Sequence, residues 1–183
     1  MAYISGGNEL LDPKEILSKL GVRKGSRIAD LGCGGAGHFI IPAASLVGEK
    51  TTAYAVDILK SILRAVISKA RLAGINNIKS VWSNLEIVGA TKIKEKSLDF
   101  TLLINILFQS KEQESIIKEA VRLLKNKGRL LVIDWDKTLT SFGPPTEDRV
   151  KSEEVKEIAR KLNLKLIDKF QAGNYHYGLI FEK

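Results

Sequence analysis

A glycine-rich stretch contains the first residues that could do chemistry. Gly32, Gly34 and Gly37 occur in the spacing Gly-x-Gly-x-x-Gly, directly after a predicted strand that ends at Leu31. Glycines at a strand-to-helix turn let the backbone turn tightly and let a ligand approach without a side chain in the way. The spacing matches the fingerprint of nucleotide-cofactor loops. Alone it is a weak signal, because a glycine-rich turn without a ligand has the same sequence.

Two carboxylates narrow the class of ligand. Asp57 follows the loop by about 20 residues, where a carboxylate can accept hydrogen bonds from both ribose hydroxyls of an adenosine. A helix-capping role for Asp57 is the alternative, and the two roles are compatible. Asp30 lies just before Gly32. A carboxylate there would repel a pyrophosphate but would attract a cationic sulfonium or α-ammonium group.

The elements that must position these residues alternate between helix and strand. This alternation predicts an α/β fold with a parallel, doubly wound sheet and helices on both faces. The turn Ala172-Gly173-Asn174 indicates a hairpin, so the last strand should be antiparallel. Seven strands are predicted, over residues 27–31, 52–56, 78–82, 98–104, 129–133, 165–170 and 176–181. Helices are predicted after the Asp12 cap, over about 38–47, before Gly74, after the Ser110 capping box and around 155–162.

Motifs across most of residues 10–135 occur in one order along the chain. They are Asp30-Leu-Gly-Cys-Gly34, Ala-Val-Asp57, the segment around Asn84, Ser97-Leu-Asp-Phe through Asn105, and Glu119 through Gly128 to Asp134. Together they resemble class I S-adenosylmethionine-dependent methyltransferases. The nearest branch resembles the ubiquinone and menaquinone C-methyltransferases and other small-molecule methyltransferases. The resemblance implies a Rossmann-like seven-stranded sheet.

The resemblance also implies which residues contact the cofactor, S-adenosylmethionine. Asn84 stands where many relatives have aspartate, and its amide oxygen would accept from the adenine amino group. The third glycine would be displaced to Gly37 by a loop one residue longer, with Ala36 in the usual position. Cys33 would offer its backbone N–H, since its thiol is a small apolar group. The implied cofactor residues are Asp30, Gly32, Cys33, Gly34, Gly37, Asp57, Ile58, Asn84, Leu85 and Asn105.

The chemical step would need few groups from the protein. Methyl transfer from a sulfonium is an in-line displacement, and a general base is needed only if the acceptor must lose a proton. The ends of strands four and five should face the acceptor, and they contain Asn105, Phe108, Asp134 and Asp136. Asp134 is the candidate catalytic base, with loop capping as its alternative. Phe108 and Trp135 could wall an apolar acceptor or serve packing alone.

The two histidines are weaker candidates. His38 follows the glycine loop, so it would touch the cofactor or its cap rather than perform chemistry. His176 begins the last strand, which is expected at an antiparallel edge of the sheet. It could be a base, with a structural role as the alternative.

Length and composition predict one domain over residues 1–183. Its parts would be an N-terminal helix and lid (1–24), a cofactor-binding core (25–136), and a loop, helix and C-terminal hairpin (137–183). One cysteine and two histidines make a disulfide framework or a metal site unexpected. The sequence has no apolar run of membrane-spanning length and no signal pattern, so a cytoplasmic location is expected.

The net charge of +8 leaves the acceptor open. The basic residues are spread along the chain rather than packed into one arm, so we expect a small-molecule acceptor and only weak, non-specific nucleic-acid binding. An RNA methyltransferase, an NAD-dependent oxidoreductase and a catalytically silent cofactor-binding partner are the alternatives. The site could be closed by a lid, by a partner in a homo-oligomer or by the acceptor itself.

Overall fold

A computed structural model describes residues 7–136 and 143–183. The predicted loop after the fifth strand falls partly at 137–142, outside the described residues. The strands are β1 Ile28–Leu31, β2 Ala53–Asp57, β3 Ile78–Trp82, β4 Leu98–Ile104, β5 Leu124–Trp135, β6 Lys165–Ala172 and β7 His176–Glu182. The helices are α1 Pro13–Leu20, α2 Ile40–Val47, α3 Lys60–Leu72, α4 Gln113–Leu123 and α5 Ser152–Lys161, with short 3-10 helices at Asn8–Leu10 and Leu107–Gln109.

The strands form one sheet in the order β3-β2-β1-β4-β5-β7-β6. The pairs β1–β2, β2–β3, β1–β4 and β4–β5 are parallel, whereas β7 is antiparallel to both β5 and β6. The predicted fold class is therefore confirmed, including the antiparallel last strand. The strand order reverses beside β1, between β2 and β4, and a doubly wound sheet opens a crevice for ligands at such a point.

Alternate side chains of the strands pack into two separate cores, one on each face of the sheet. On β4 and β5, Leu102 and Ile133 belong to the core under α1, α2 and α3, whereas Leu103 and Val132 belong to the core under α4 and α5. Strands buried on both faces read as continuous apolar runs, which is the pattern that the sequence shows here. This packing fixes the carboxyl ends of the parallel strands on one edge of the sheet.

Local signals set several element boundaries. Asp12 Oδ1 accepts hydrogen bonds from the backbone N–H groups of Lys14 (2.8 Å) and Glu15 (3.2 Å), which confirms the predicted cap of α1. The Ser110 hydroxyl accepts from the N–H of Glu112 at 2.9 Å, so α4 begins only at Gln113. β5 extends past the predicted 129–133 at both ends, because it pairs with β4 at one end and with β7 up to Trp135 at the other.

Among the described residues, no helix is long and apolar enough to cross a membrane. The cytoplasmic location stays a prediction.

Candidate cofactor site

A cavity of about 490 Å³ opens at the carboxyl edge of the sheet, where β1, β2, β3 and β4 end. Every predicted cofactor residue except Asp30 and Gly37 lines it: Gly32, Cys33, Gly34, Asp57, Ile58, Asn84, Leu85 and Asn105. The chain brings these residues together from four separate loops. Such a crevice is the usual ligand site of a doubly wound sheet.

The glycine loop forms the floor of the cavity. Gly34 has a positive φ of 62°, and a Cβ placed on it would meet no atom within 4 Å, so this backbone faces open space. A Cβ on Gly37 would instead lie 2.9 Å from Ile41 Cδ1. Gly37 therefore permits close packing of α2 behind the loop and does not border the cavity, which Gly35 and Ala36 do.

Asp57 lies at the end of β2 with its carboxylate against the cavity. Its Oδ1 accepts the N–H of Leu59 at 2.9 Å and its Oδ2 accepts the N–H of Gly34 at 3.4 Å. The carboxylate thus orders the turn before α3 and the glycine loop. It is not the N-cap of α3, because Leu59 occupies that position and no side chain caps the helix, so the capping alternative is wrong. Each oxygen keeps lone-pair capacity for a ribose hydroxyl, so the ribose-binding role stays a prediction.

Asp30 lies behind the glycine loop and is only 3% exposed. Burial raises its pKa to about 7, and the nearby negative charge of Asp57 adds to the increase, while the backbone N–H of Ile40 opposes it. An ionised carboxylate here has little solvation. A cation in the cavity would stabilise the ionised form, which is the electrostatic setting predicted from its position in the sequence.

The far end of the cavity is mostly apolar. Ile58 is half exposed, whereas Leu85 is buried, and both line the wall. Asn84 Oδ1 accepts the N–H of Glu86 at 3.0 Å, which leaves one lone pair and the amide nitrogen for a ligand. A flat aromatic group with polar edges, such as adenine, would fit between these residues.

Asn105 leaves an acceptor without a partner. It is 2% exposed at the end of β4, its φ is 55°, and it lines the cavity. Its Nδ2 donates to Asn8 Oδ1 at 2.8 Å, but its Oδ1 has no hydrogen-bond partner among the described residues. A buried acceptor costs free energy unless a donor satisfies it. An ammonium group in the cavity would be such a donor, so the residues present fit the cofactor that the resemblance implies.

The N-terminal segment, which the sequence predicted as a lid, contributes two residues that the sequence did not single out. Asn8 and Glu9 line the cavity. His38 Nε2 donates to the carbonyl oxygen of Leu11 at 2.9 Å, so His38 holds this segment in place, and it is absent from the cavity wall as described. Tertiary packing brings Asn8 and Glu9 to the site, and no local sequence motif predicts their position.

Asp134 lies outside the cavity. It is fully buried, its Oδ2 accepts the N–H of Leu107 at 3.1 Å, and its Oδ1 accepts the N–H of Trp135 at 2.8 Å. Burial raises its pKa to about 7, although these backbone hydrogen bonds oppose the increase. Its pKa would suit a base, but its oxygens hold the turn at Leu107–Gln109. The base role stays a prediction.

Trp135 and His176 form a buried pair beside the cavity. Their ring centroids are 4.3 Å apart, and both side chains are 1% exposed. The prediction that His176 lies on an edge strand is wrong, because β7 is inserted between β5 and β6. Burial, and secondarily the charge of Arg149, lowers the pKa of His176 to about 4. Neither Trp135 nor Phe108 is part of the described cavity wall, so their role as acceptor walls stays a prediction.

A family described as "Methyltransferase domain" matches residues 22–178. The chain belongs to this family. Membership, together with the sheet order and the cavity, confirms the class I S-adenosylmethionine-dependent methyltransferase inferred from the motifs, and it argues against the NAD-dependent oxidoreductase.

One curated relative supports the family assignment, and two solved structures share the fold. The "Ubiquinone/menaquinone biosynthesis C-methyltransferase UbiE" of Yersinia enterocolitica is 35% identical over 120 residues, which cover 65% of this chain and 46% of the relative. This chain therefore matches less than half the length of that protein. A SAM-dependent methyltransferase from Aquifex aeolicus has a TM-score of 0.84 at 23% identity, over 97% of this chain and 93% of its own. The [4+2]-cyclase SpnF has a TM-score of 0.78 at 14% identity, over 96% of this chain and 81% of its own, so the same fold occurs in a protein named for another reaction.

Proposed function

We propose that this chain transfers the methyl group of S-adenosylmethionine to a small organic acceptor. One observation carries the proposal: the same cavity of a methyltransferase family member is lined by Asp57 and by Asn105, whose Oδ1 has no hydrogen-bond partner in the part of the chain that the structure describes. The relative named for ubiquinone and menaquinone biosynthesis supports an apolar small-molecule acceptor.

Each residue would have a distinct part in binding. Asp57 would hold the ribose hydroxyls, and Asn84 and Leu85 would border the adenine. Asn105 Oδ1 would accept from the α-ammonium group, with Asp30 neutralising the positive charge from behind the loop. The bound cofactor would supply an electrophilic methyl group, so the protein would contribute orientation and exclusion of water.

Asp134 would act in one of two ways that depend on the acceptor. If the acceptor must lose a proton, Asp134 could receive it only after becoming accessible from the cavity, because it is fully buried and does not line the wall. If the acceptor needs no base, Asp134 would only position the Leu107–Gln109 turn. The base role predicts that turnover of wild type rises with pH around an apparent pKa near 7. The same rise should be missing from the pH profile of Asp134→Asn.

A thermal-shift comparison tests cofactor binding. S-adenosylhomocysteine should raise the melting temperature, and NAD should not. At about 100 times Kd, the ligand should stabilise the fold by roughly 2.7 kcal/mol. Asp57→Ala should fold but lose most of this shift, because one charged hydrogen bond to a ligand is worth about 1.5–3 kcal/mol.

Stabilisation by NAD alone would contradict the proposal. Transfer of a labelled methyl group from S-adenosylmethionine to a small-molecule extract tests the reaction itself. Binding of S-adenosylhomocysteine without methyl transfer to any small molecule would favour a catalytically silent cofactor-binding module.

A further inference from the structure

A second groove lies outside the cofactor cavity, between α3 and the edge strand β3. Its volume is about 760 Å³, and it is bordered by Lys60, Arg64 and Arg71 on α3 and by Ser80 and Trp82 on β3. We call it the α3–β3 groove. None of the functional roles assigned above uses these residues.

The groove is positively charged, and no carboxylate among its described lining residues neutralises that charge. Lys60, Arg64 and Arg71 are exposed on the helix face that borders β3. Within residues 7–136 and 143–183, none of these three cations makes an ion pair. No acidic residue is among the described residues that line the groove. An uncompensated row of cations favours a ligand with several negative charges.

An aromatic platform lies in the same groove. Trp82 is 53% exposed, yet its indole N–H donates to the carbonyl oxygen of Ile58 at 2.7 Å, which fixes the ring. A fixed and exposed ring offers a face on which a nucleobase can stack, whereas a free phosphate or a carboxylate would gain nothing from it.

The length of the row of cations favours a strand over a single nucleotide. An α-helix rises 1.5 Å per residue, so the row from Lys60 to Arg71 extends about 16 Å along the helix axis. Proteins that bind single-stranded nucleic acid combine a basic groove along the backbone with aromatic rings under the bases. A concave groove of this kind also admits a strand more readily than a flat membrane surface.

We propose that the α3–β3 groove binds single-stranded nucleic acid. The phosphates lie along Lys60, Arg64 and Arg71, and a base stacks on Trp82. This binding is separate from the acceptor of methyl transfer. The recognised chemistry is a row of phosphodiesters with unpaired bases, which RNA and single-stranded DNA share.

Fluorescence polarisation of a labelled oligouridine of about 12 nucleotides, at about 50 and 200 mM salt, tests the proposal. Wild type should bind at the lower salt and more weakly at the higher. Lys60→Glu/Arg64→Glu should weaken binding at least about tenfold and flatten the salt dependence. Trp82→Ala should weaken binding at least about fivefold, and Trp82→Phe should keep most of the affinity.

A charge-matched control separates the groove from net charge. Arg23 and Lys24 are also exposed but lie before β1, away from the groove. Arg23→Glu/Lys24→Glu should leave the affinity within about twofold, because distant exposed charges are screened. The melting shift with S-adenosylhomocysteine, measured on both double variants, shows that each is folded and that the cofactor site is intact.

Four outcomes would overturn the proposal. Wild type could fail to bind the oligouridine at the lower salt, or could bind a duplex as tightly as a single strand. The two double variants could lose affinity equally, which would make net charge the cause. Anionic phosphatidylserine vesicles could bind through Lys60 and Arg64 while the oligonucleotide does not, which would make the groove a membrane-facing surface. An oligodeoxythymidine of the same length tells whether RNA is preferred over DNA.

Discussion

Asp30 combines burial with a position next to a proposed cation site. In water an aspartate is ionised at neutral pH, but this carboxyl has a pKa of about 7 because burial and the neighbouring Asp57 oppose its charge. Ionisation of Asp30 is therefore energetically unfavourable unless a cation lies nearby. A positively charged ligand changes that balance, so the free energy of ligand binding and the proton occupancy of Asp30 are linked.

Asp30→Asn tests this linkage. The folded pKa lies above the unfolded value, so the wild-type contribution to stability is complete below pH 3.8 and is lost as pH rises to about 7. Wild type should bind S-adenosylmethionine more tightly at about pH 8 than at about pH 6. Asp30→Asn should show little of this dependence and bind about tenfold more weakly at the higher pH.

Calorimetric titration at both pH values gives the comparison. The unfolding free energy of Asp30→Asn should also fall less than that of wild type between the two pH values. Asp134, whose pKa is raised as well, contributes an equal decline to both proteins. Identical pH dependence of binding in the two proteins would show that Asp30 does not sense the ligand charge.

Helix α4 is tied to the loop after β3 by one buried carboxylate. Glu119 is 0% exposed, and its oxygens accept from the N–H groups of Gly89 (2.7 Å) and Thr91 (2.9 Å) and from Arg122 Nε (2.7 Å). Burial opposes its ionisation, but these hydrogen bonds, led by Arg122, lower its pKa to about 2. The connection holds the loop that contains Asn84 against the rest of the fold.

Glu119→Gln should lower the free energy of unfolding by about 2–3 kcal/mol at neutral pH, because it leaves a partly buried guanidinium without its counter-charge. The folded pKa of Glu119 is below its unfolded 4.5, so the wild-type contribution is present above pH 4.5 and is lost as pH falls toward about 2. The difference between variant and wild type should therefore shrink at about pH 3.

Urea unfolding at the two pH values measures this difference. Glu114→Gln is the control, because Glu114 is on the same helix but exposed, with its oxygen 4.0 Å from Lys161. It should change the free energy of unfolding by less than about 0.5 kcal/mol. An equal loss in both variants would mean that the buried network adds little.

At the scale of the whole molecule, residues far apart in sequence close the cavity. Asn8 is hydrogen-bonded to Asn105 at the cavity wall, and Gly7 packs so close to the Trp135 ring that an added Cβ would lie 2.3 Å from it. The described part of the N-terminal segment thus behaves as a wall of the site. Loss of the contacts of this segment should raise the dissociation rate of a ligand more than it lowers the free energy of unfolding.

Asn8→Ala should raise the Kd for S-adenosylhomocysteine about three- to fivefold, through faster dissociation, because it removes one hydrogen bond that holds the segment. Stopped-flow displacement measures the dissociation rate. Asn76→Ala, an exposed change beyond α3, should leave that rate unaltered. An unchanged rate in Asn8→Ala would show that this segment does not retain the ligand.

The sequence predicted what local patterns determine. Periodicity and caps placed the strands, and the motifs at Asp57 and Asn84 placed most of the cavity wall. Strand order is a long-range property, so the interior position of His176 was missed. The α3–β3 groove was missed because Lys60, Arg64 and Arg71 border it together with β3, and the edge position of β3 is set by the strand order. Asn8 reached the site through tertiary packing alone.

The insertion of β7 between β5 and β6 has a consequence for biosynthesis. The ribosome makes β5 and β6 before the strand that must separate them. One edge of β5 can pair with β4, but its other edge and the paired edge of β6 have no partner until His176–Glu182 has emerged. During that interval the apolar edge of β5 remains open to other chains. Translation that stalls inside β7 should therefore yield an aggregation-prone nascent chain, and this tendency should fall once β7 has emerged and paired with β5.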